Sequence, residues 1–398
     1  MTDSLTLVTC AGGAPWEAPL VRGFQRRELG VELVRRCVDH GELLGVALRD
    51  RPRVAVIAAE LPWLDRDLVG TLHDHGVTIV AIEAVGSLRP LDRIGVSHRL
   101  PAGTGVEEVA ALLHQIGGAA HHSVGVGQPP TADAEPGCPR GRMLAVWGSP
   151  GAPGRTTVAV HLALEAARQG VRTLLIDGDA WSATIAQLLG LEEAPSVAQA
   201  AHLGAGGWPQ PIESCLQTAP FGCSVLPGLA RAELWPEVRE HAWRAVLDAA
   251  VAVADLVVVD LAAPIEEDEE LAFDRVPYRR NLMTIGVLEA ADDVMLVAAG
   301  DPVGVRRAIV AHRTLHEARP AVAARVAVLV NRAPKAARRL QDCSTLLADW
   351  TGTPPLALLP MEPQLERVPW EGRPLHAIAP RSTWLKELRA IVAAVVHP

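Results

Sequence analysis

The chain is poor in aromatic residues: they make up 4% of 398 positions, with three phenylalanines and a single tyrosine. Alanine, valine and leucine must therefore fill its cores, and a composition of 49% hydrophobic and 21% charged residues excludes a disordered chain. Basic residues are outnumbered 37 to 46, for a net charge of −9. That balance argues against broad binding to phosphate backbones, so no strong DNA binding is expected, and Lys335, Arg338 and Arg339 read as a solvated helix face. The six cysteines form no C-x-x-C pair and have no matching histidine spacing, which excludes the usual zinc and iron–sulfur patterns. Scattered cysteines without a secretory leader predict a reducing cytoplasm. No long apolar run escapes charge either. "AAVAVADLVVVDLAAPI" is interrupted by Asp255 and Asp260, which predicts a buried strand and a soluble protein with no direct membrane insertion.

The length suits two domains of ordinary size. Residues 118–141 lack apolar periodicity and are dense in Gly, Pro and small polar residues, which predicts a flexible linker between a domain at 1–117 and one at 142–398. His121 and His122 in that segment have no further ligand nearby in sequence. Before the linker, "LTLVTC", "VELVRRCV", "RVAVIAAEL" and "VTIVAIEA" read as strands, and "HGELLGVALRD", "DRDLVGTLHDHG" and "GVEEVAALLHQIG" as helices. The alternation predicts a doubly wound parallel sheet. This region resembles a response-regulator receiver domain over roughly residues 4–117, with its chemistry missing. The position four residues before Pro62, where that family has its phosphoacceptor aspartate, is Ala58; "TLVTCAGG" carries no acidic pair, and Leu100 stands where the family has lysine before a proline. The resemblance therefore implies a docking or dimerisation module.

After the linker, "GSPGAPGRTT" (148–157) joins two apolar runs, "MLAVW" and "VAVHLALEAA". A glycine-rich turn from strand to helix cradles phosphate because backbone N–H groups converge on an anion at a helix N-terminus, while a cation and a hydroxyl serve the phosphates and magnesium. Gly148, Gly151 and Gly154 supply freedom, Arg155 a charge and Thr156 a hydroxyl, whereas Pro150 and Pro153 each remove a donor. Two more strands end in carboxylates: "VRTLLIDGD" in Asp177 and Asp179, and "ADLVVVD" in Asp260. Carboxylates at the C-terminal ends of parallel strands lie at the same edge as such a loop, where they can hold magnesium or orient water. "DDVMLVAAGDPVGVRRA" and "RVAVLVNRAP" continue the strand–turn–helix pattern. The fold class expected is α/β, two doubly wound parallel-sheet domains.

Residues 142–398 resemble the MinD/ParA group of P-loop ATPases, whose loop reads K-G-G-x-G-K-T-T where this chain has "PGAPGRTT". The resemblance implies ATP and Mg2+ as cofactors, with Gly151, Gly154, Arg155, Thr156, Thr157 and Asn331 binding nucleotide, the last at the adenine. It implies Thr156, Asp177 and Asp260 as metal ligands, Asp179 and Asp260 as catalytic residues, and "LLPMEPQLERVPWEGRPL" as part of the base pocket. A receiver-like domain ahead of such an ATPase is similar to the CpaE/TadZ proteins of Tad-type pilus machinery and to septum-site-determining proteins. A cytoplasmic homodimer recruited to a cell pole or septum by pilus-assembly or cell-division proteins is what this resemblance implies. Two departures count against turnover: the family's signature lysine, which reaches the partner's nucleotide, falls on Pro150, and the second-switch glycine falls on Pro264. Weak to moderate ATP binding with slow or absent hydrolysis is expected, and a nucleotide-free scaffold with the same partners remains the alternative. A related tyrosine kinase would need a tyrosine-rich tail, and the only tyrosine is Tyr278. The acidic stretch at 265–281 beside the second switch reads as a solvated loop and a candidate partner surface. The C-terminal run with Trp384, Leu385, Leu388, Ile391 and Val392 at helical spacing has few basic residues and reads as a core helix.

Overall fold

The computed structural model describes residues 5–396 apart from 26–29, 62, 88, 120–139, 152, 209–211 and 267–279. The chain divides into two compact units, one of residues 1–138 with 205–209, the other of 139–204 with 210–398. Most of the expected linker, with His121 and His122, lies outside the described residues, as do Pro62, Tyr278 and most of the acidic stretch.

The first unit holds strands β1 (Leu5–Cys10), β2 (Val31–Cys37), β3 (Val54–Ala58), β4 (Thr78–Glu83) and β5 (His98–Pro101), all parallel, in the order β2-β1-β3-β4-β5. Every residue of β3 is buried, as its unbroken apolar run requires of a strand covered on both faces. Helices α1 (Glu17–Gln25), α2 (His40–Asp50), α3 (Arg66–Asp74) and α4 (Val106–Ala119) complete it. Asp39 and Asp65 start α2 and α3 by accepting the N–H of Glu42 and Leu68. The pattern reading did not include α1, which contains Pro19 and Gly23; burial of Leu20 and Phe24 holds it in place. At the end of β3, Ala58 is followed by a loop whose carbonyls, at Ala59, Leu61 and Leu64, all accept from the Arg89 guanidinium.

The second unit is an eight-stranded sheet: β6 (Arg142–Trp147), β7 (Thr173–Gly178), β8 (Gln217–Thr218), β9 (Ser224–Leu226), β10 (Leu256–Leu261), β11 (Asp293–Ala299), β12 (Val326–Ala333) and β13 (Ala357–Pro360). Its order is β13-β12-β11-β6-β10-β7-β9-β8, parallel throughout except for the two-residue β8, which runs antiparallel to β9. α5 (Arg155–Arg168) leaves the end of β6 and is buried from Val158 to Ala167. The C-terminal helix Thr383–Val396 packs Trp384, Leu385, Leu388, Ile391 and Val392 into the same core as α5. Among the described residues no helix is long and apolar enough to cross a membrane.

Candidate functional site

Strand order assembles the site. β10 lies between β6 and β7, and its Asp260 is in register with Asp177 on one side and with Val146, just before the glycine-rich turn, on the other. Both carboxylates are buried. Burial is the main cause that pushes the Asp177 carboxyl up to about 7; the Asp179 charge adds to it, and the N–H groups of Ile185, Asp179 and Thr184 oppose it. Asp260 is raised well above its ordinary range by burial and then by the charge of Asp177, with a Thr156 hydrogen bond and Arg155 pulling the other way.

The two aspartates differ in what they have left to offer. Asp177 Oδ1 accepts from Asp179 N–H, and Oδ2 from Thr184 and Ile185 N–H at 2.9 and 3.0 Å. Its oxygens thus hold the turn after β7, and Gly228 packs so closely that a Cβ there would stand 2.8 Å from its Cγ. Asp260 Oδ1, in contrast, is buried without a hydrogen-bond partner. One bare carboxylate oxygen beside a threonine hydroxyl fits the protein's share of a Mg2+ site, since that ion takes one or two protein oxygens and completes its shell with water and phosphate. No group of three or more acidic, His or Cys side chains able to hold a metal occurs among the described residues. Asp179, the expected catalytic residue, is buried, and its Oδ1 accepts from Trp181 and Ser182 N–H at 2.9 Å. Trp181 donates its indole N–H to Asn281, and Arg280 stacks over its ring, 3.5 Å from the centroid.

In the turn itself, Gly151 and Gly154 take φ of +106° and +92°, values that L side chains rarely adopt. Gly154 is the N-cap of α5 and has no side chain to cover the first-turn N–H groups, which leaves them to an anion. The Arg155 guanidinium folds back to donate to the carbonyls of Gly148 and Ser149, at 2.9 and 3.0 Å. Thr157 and Asn331 share a cleft of about 430 Å3 with Arg332, Met361, Glu362 and Leu365, so the late loop expected at the base pocket does meet the helix after the turn. Asn331 has a second duty: its Nδ2 donates to Pro153 O at 2.9 Å, and its Oδ1 accepts from the buried Trp384 indole at 3.1 Å. It thereby ties the turn to the C-terminal helix, a connection that residue spacing did not signal. Arg332 beside it holds φ +55°, a strained value for a residue with a side chain.

Beneath the turn lies a buried polar cluster that the sequence reading passed over. His161 donates from Nδ1 to Thr157 O and accepts Leu375 N–H at Nε2, while Glu165, wholly buried, binds Arg168, Gln169 and His376. Burial drives the His161 imidazole down to about 3.

A glycine turn between a buried strand and a helix, with a bare aspartate oxygen at the end of the next strand, defines a phosphate-loop α/β nucleotide-binding fold. No protein-family model matches the chain. It is 27% identical to the cytosolic Fe-S cluster assembly factor NUBP2 of Rattus norvegicus over 67% of this chain and 97% of that protein. It is 22% identical to the antiactivator FleN of Pseudomonas aeruginosa, over 64% and 86% of the two chains. Among solved structures, the septum site-determining protein MinD of Pyrococcus horikoshii in complex with Mg-ADP matches with a TM-score of 0.51 and 18% identity, over 64% of this chain and 95% of that one. A ParA family ATPase from Chlorobium tepidum matches with 0.54 and 18%, over 63% and 98%. The fold of MinD/ParA P-loop ATPases is therefore present in this chain.

Proposed function

We propose that the second unit binds Mg2+ and ATP at the glycine turn and works as a dimeric spatial organiser. The carrying observation is the partnerless Asp260 Oδ1 beside Thr156, at the foot of a turn whose helix has an open N-terminus. Backbone N–H groups from Gly154 onward hold the phosphates, Arg155 turns from the loop carbonyls toward them, and Thr156 and Asp260 hold the ion. Mg2+, once bound, neutralises charge on the phosphate oxygens. Asp179 orients a water, and Asp177 fixes the turn that carries it by accepting the Asp179 N–H. Hydrolysis is slow or absent, because Pro150 sends no cation across to the partner's nucleotide and Pro264 offers no N–H, and phosphoryl transfer depends on positioned positive charge. The first unit, whose strand order is the flavodoxin-like winding shared by receiver domains, is a docking module: Ala58 cannot accept a phosphoryl group, and Arg89 locks the loop after it. Pilus-assembly or cell-division proteins at a pole or septum are the partners this organisation suits.

A second reading, a nucleotide-free scaffold with the same partners, draws on one observation: the Arg155 guanidinium is already satisfied by the carbonyls of Gly148 and Ser149. Calorimetric titration with ATP and Mg2+ separates the two, with Arg155→Ala run alongside and phosphate release followed on the same samples. Saturable heat that is lost in the variant supports the nucleotide site, and the release rate distinguishes a switch from a static ATP-held dimer. No heat with either protein leaves the scaffold.

A further inference from the structure

The chain contains two lysines, Lys335 and Lys386, neither in the turn nor lining the groove beside it, where the basic side chains are arginines. The helix Pro302–Ala318 starts after β11, where Asp301 caps it by accepting the N–H of Val303 and Gly304. Because β11 lies directly beside β6, this helix passes the glycine turn. There Arg307 rests on Gly151: a Cβ built at Gly151 would stand 2.0 Å from its Nη1. Position 151 requires glycine for its φ of +106°, and the absence of a Cβ there lets the guanidinium end of Arg307 lie against the turn. Arg307 is exposed, makes no hydrogen bond or ion pair with any described residue, and lines an open groove of about 630 Å3 with Ser149, Pro150 and Pro264.

Resting on the nucleotide-site reading above, we propose that Arg307 supplies the second cation of the phosphate site from within the same chain, taking the place left by Pro150. Its planar fork presents paired N–H groups to the oxygens of a terminal phosphate, geometry that a lone ammonium lacks. A nucleoside triphosphate extends one phosphate further than a diphosphate toward this edge, so Arg307 distinguishes the two. The pairing also explains a turn with two prolines. The cradle has lost backbone donors at Pro150 and Pro153, and a side chain from the neighbouring helix makes up the charge.

The test is calorimetric titration with ADP and with a non-hydrolysable ATP analogue, both with Mg2+, on the full chain and on Arg307→Ala, Arg307→Lys and Arg313→Ala. Arg313 lies six residues on in the same helix, is exposed, pairs with Glu317 and does not line the groove, so its removal makes the same change in net charge away from the proposed contact. Arg307→Ala is expected to weaken the triphosphate analogue about tenfold or more while ADP stays within about twofold, with Arg307→Lys intermediate and Arg313→Ala like the parent. Equal weakening of both nucleotides, or none for the analogue, overturns the assignment while leaving the nucleotide site intact. Failure of the parent chain to bind either nucleotide overturns the underlying reading and the assignment with it.

Discussion

Replacing Asp260 with asparagine should stabilise the nucleotide-free protein and abolish Mg2+-dependent ATP binding. Two carboxylates in register on adjacent buried strands repel each other and are poorly solvated. A carboxyl held at about 7 instead of 3.8, as Asp177 is, costs the folded state roughly 4 kcal/mol once it is ionised. Its folded-state value lies above its unfolded one, so the stability it contributes is fully present below 3.8 and is lost as pH rises through about 7. Asparagine keeps the shape and a partner for the Thr156 hydroxyl but removes the like charge. Asp260 is itself raised, by burial first and the Asp177 charge second, so its ionised form carries a cost of the same kind; if asparagine relieves about 2 kcal/mol of it at pH 8, Tm rises by roughly 4–8 °C for a unit of this size. At pH 5, nearer to 3.8, a shift of this size costs only about 1.6 kcal/mol, and the gain should shrink to less than half its value at pH 8. Thermal melts by circular dichroism at the two pH values, with chelator and no nucleotide, measure both. A variant less stable than the parent at pH 8, or a gain of equal size at both pH values, would refute the reasoning.

The opposite pH sign is expected from His161. Its imidazole is held at about 3 and uses both nitrogens while neutral, so this contribution falls as the solution is acidified below the unfolded value of 6.5. The loss between pH 7 and pH 5 is about 2 kcal/mol, and urea melts of His161→Gln should show that much less acid sensitivity than the parent; parallel profiles would count against it. Trp384→Phe should cost about 2–3 kcal/mol in the same assay, because it strips the buried Asn331 Oδ1 of its donor, and a change under about 0.5 kcal/mol would show that this tie does not hold the turn. Gly228→Ala places a methyl 2.6 Å from Ala183 Cβ and 2.8 Å from Asp177 Cγ. A loss of about 1–3 kcal/mol by thermal melt is the expected outcome, and full stability would mean that the turn after β7 yields freely.

The sequence by itself determined most of the strands and the edge at which their ends meet, though not α1, which tertiary burial of Leu20 and Phe24 holds. Unbroken apolar runs specify β3, β7 and β10 as strands covered on both faces, and a glycine turn before a helix specifies where a phosphate would sit, because these signals depend only on neighbours along the chain. Asp177, Asp179 and Asp260 were legible as a set for the same reason, each lying at or just past a strand end. Their separate duties were not. Asp177 is taken up by the N–H groups of its own turn and Asp260 is left bare, a difference set by the strand order that lays β10 between β6 and β7. Asn331, expected only at the adenine, also bridges Pro153 and Trp384, residues 178 and 53 positions away, and Arg307 reaches Gly151 across the groove. Such pairs leave no period or motif in a single sequence. They arise when parallel strands distant along the chain become neighbours and their loops are brought to one edge, which only the tertiary structure decides.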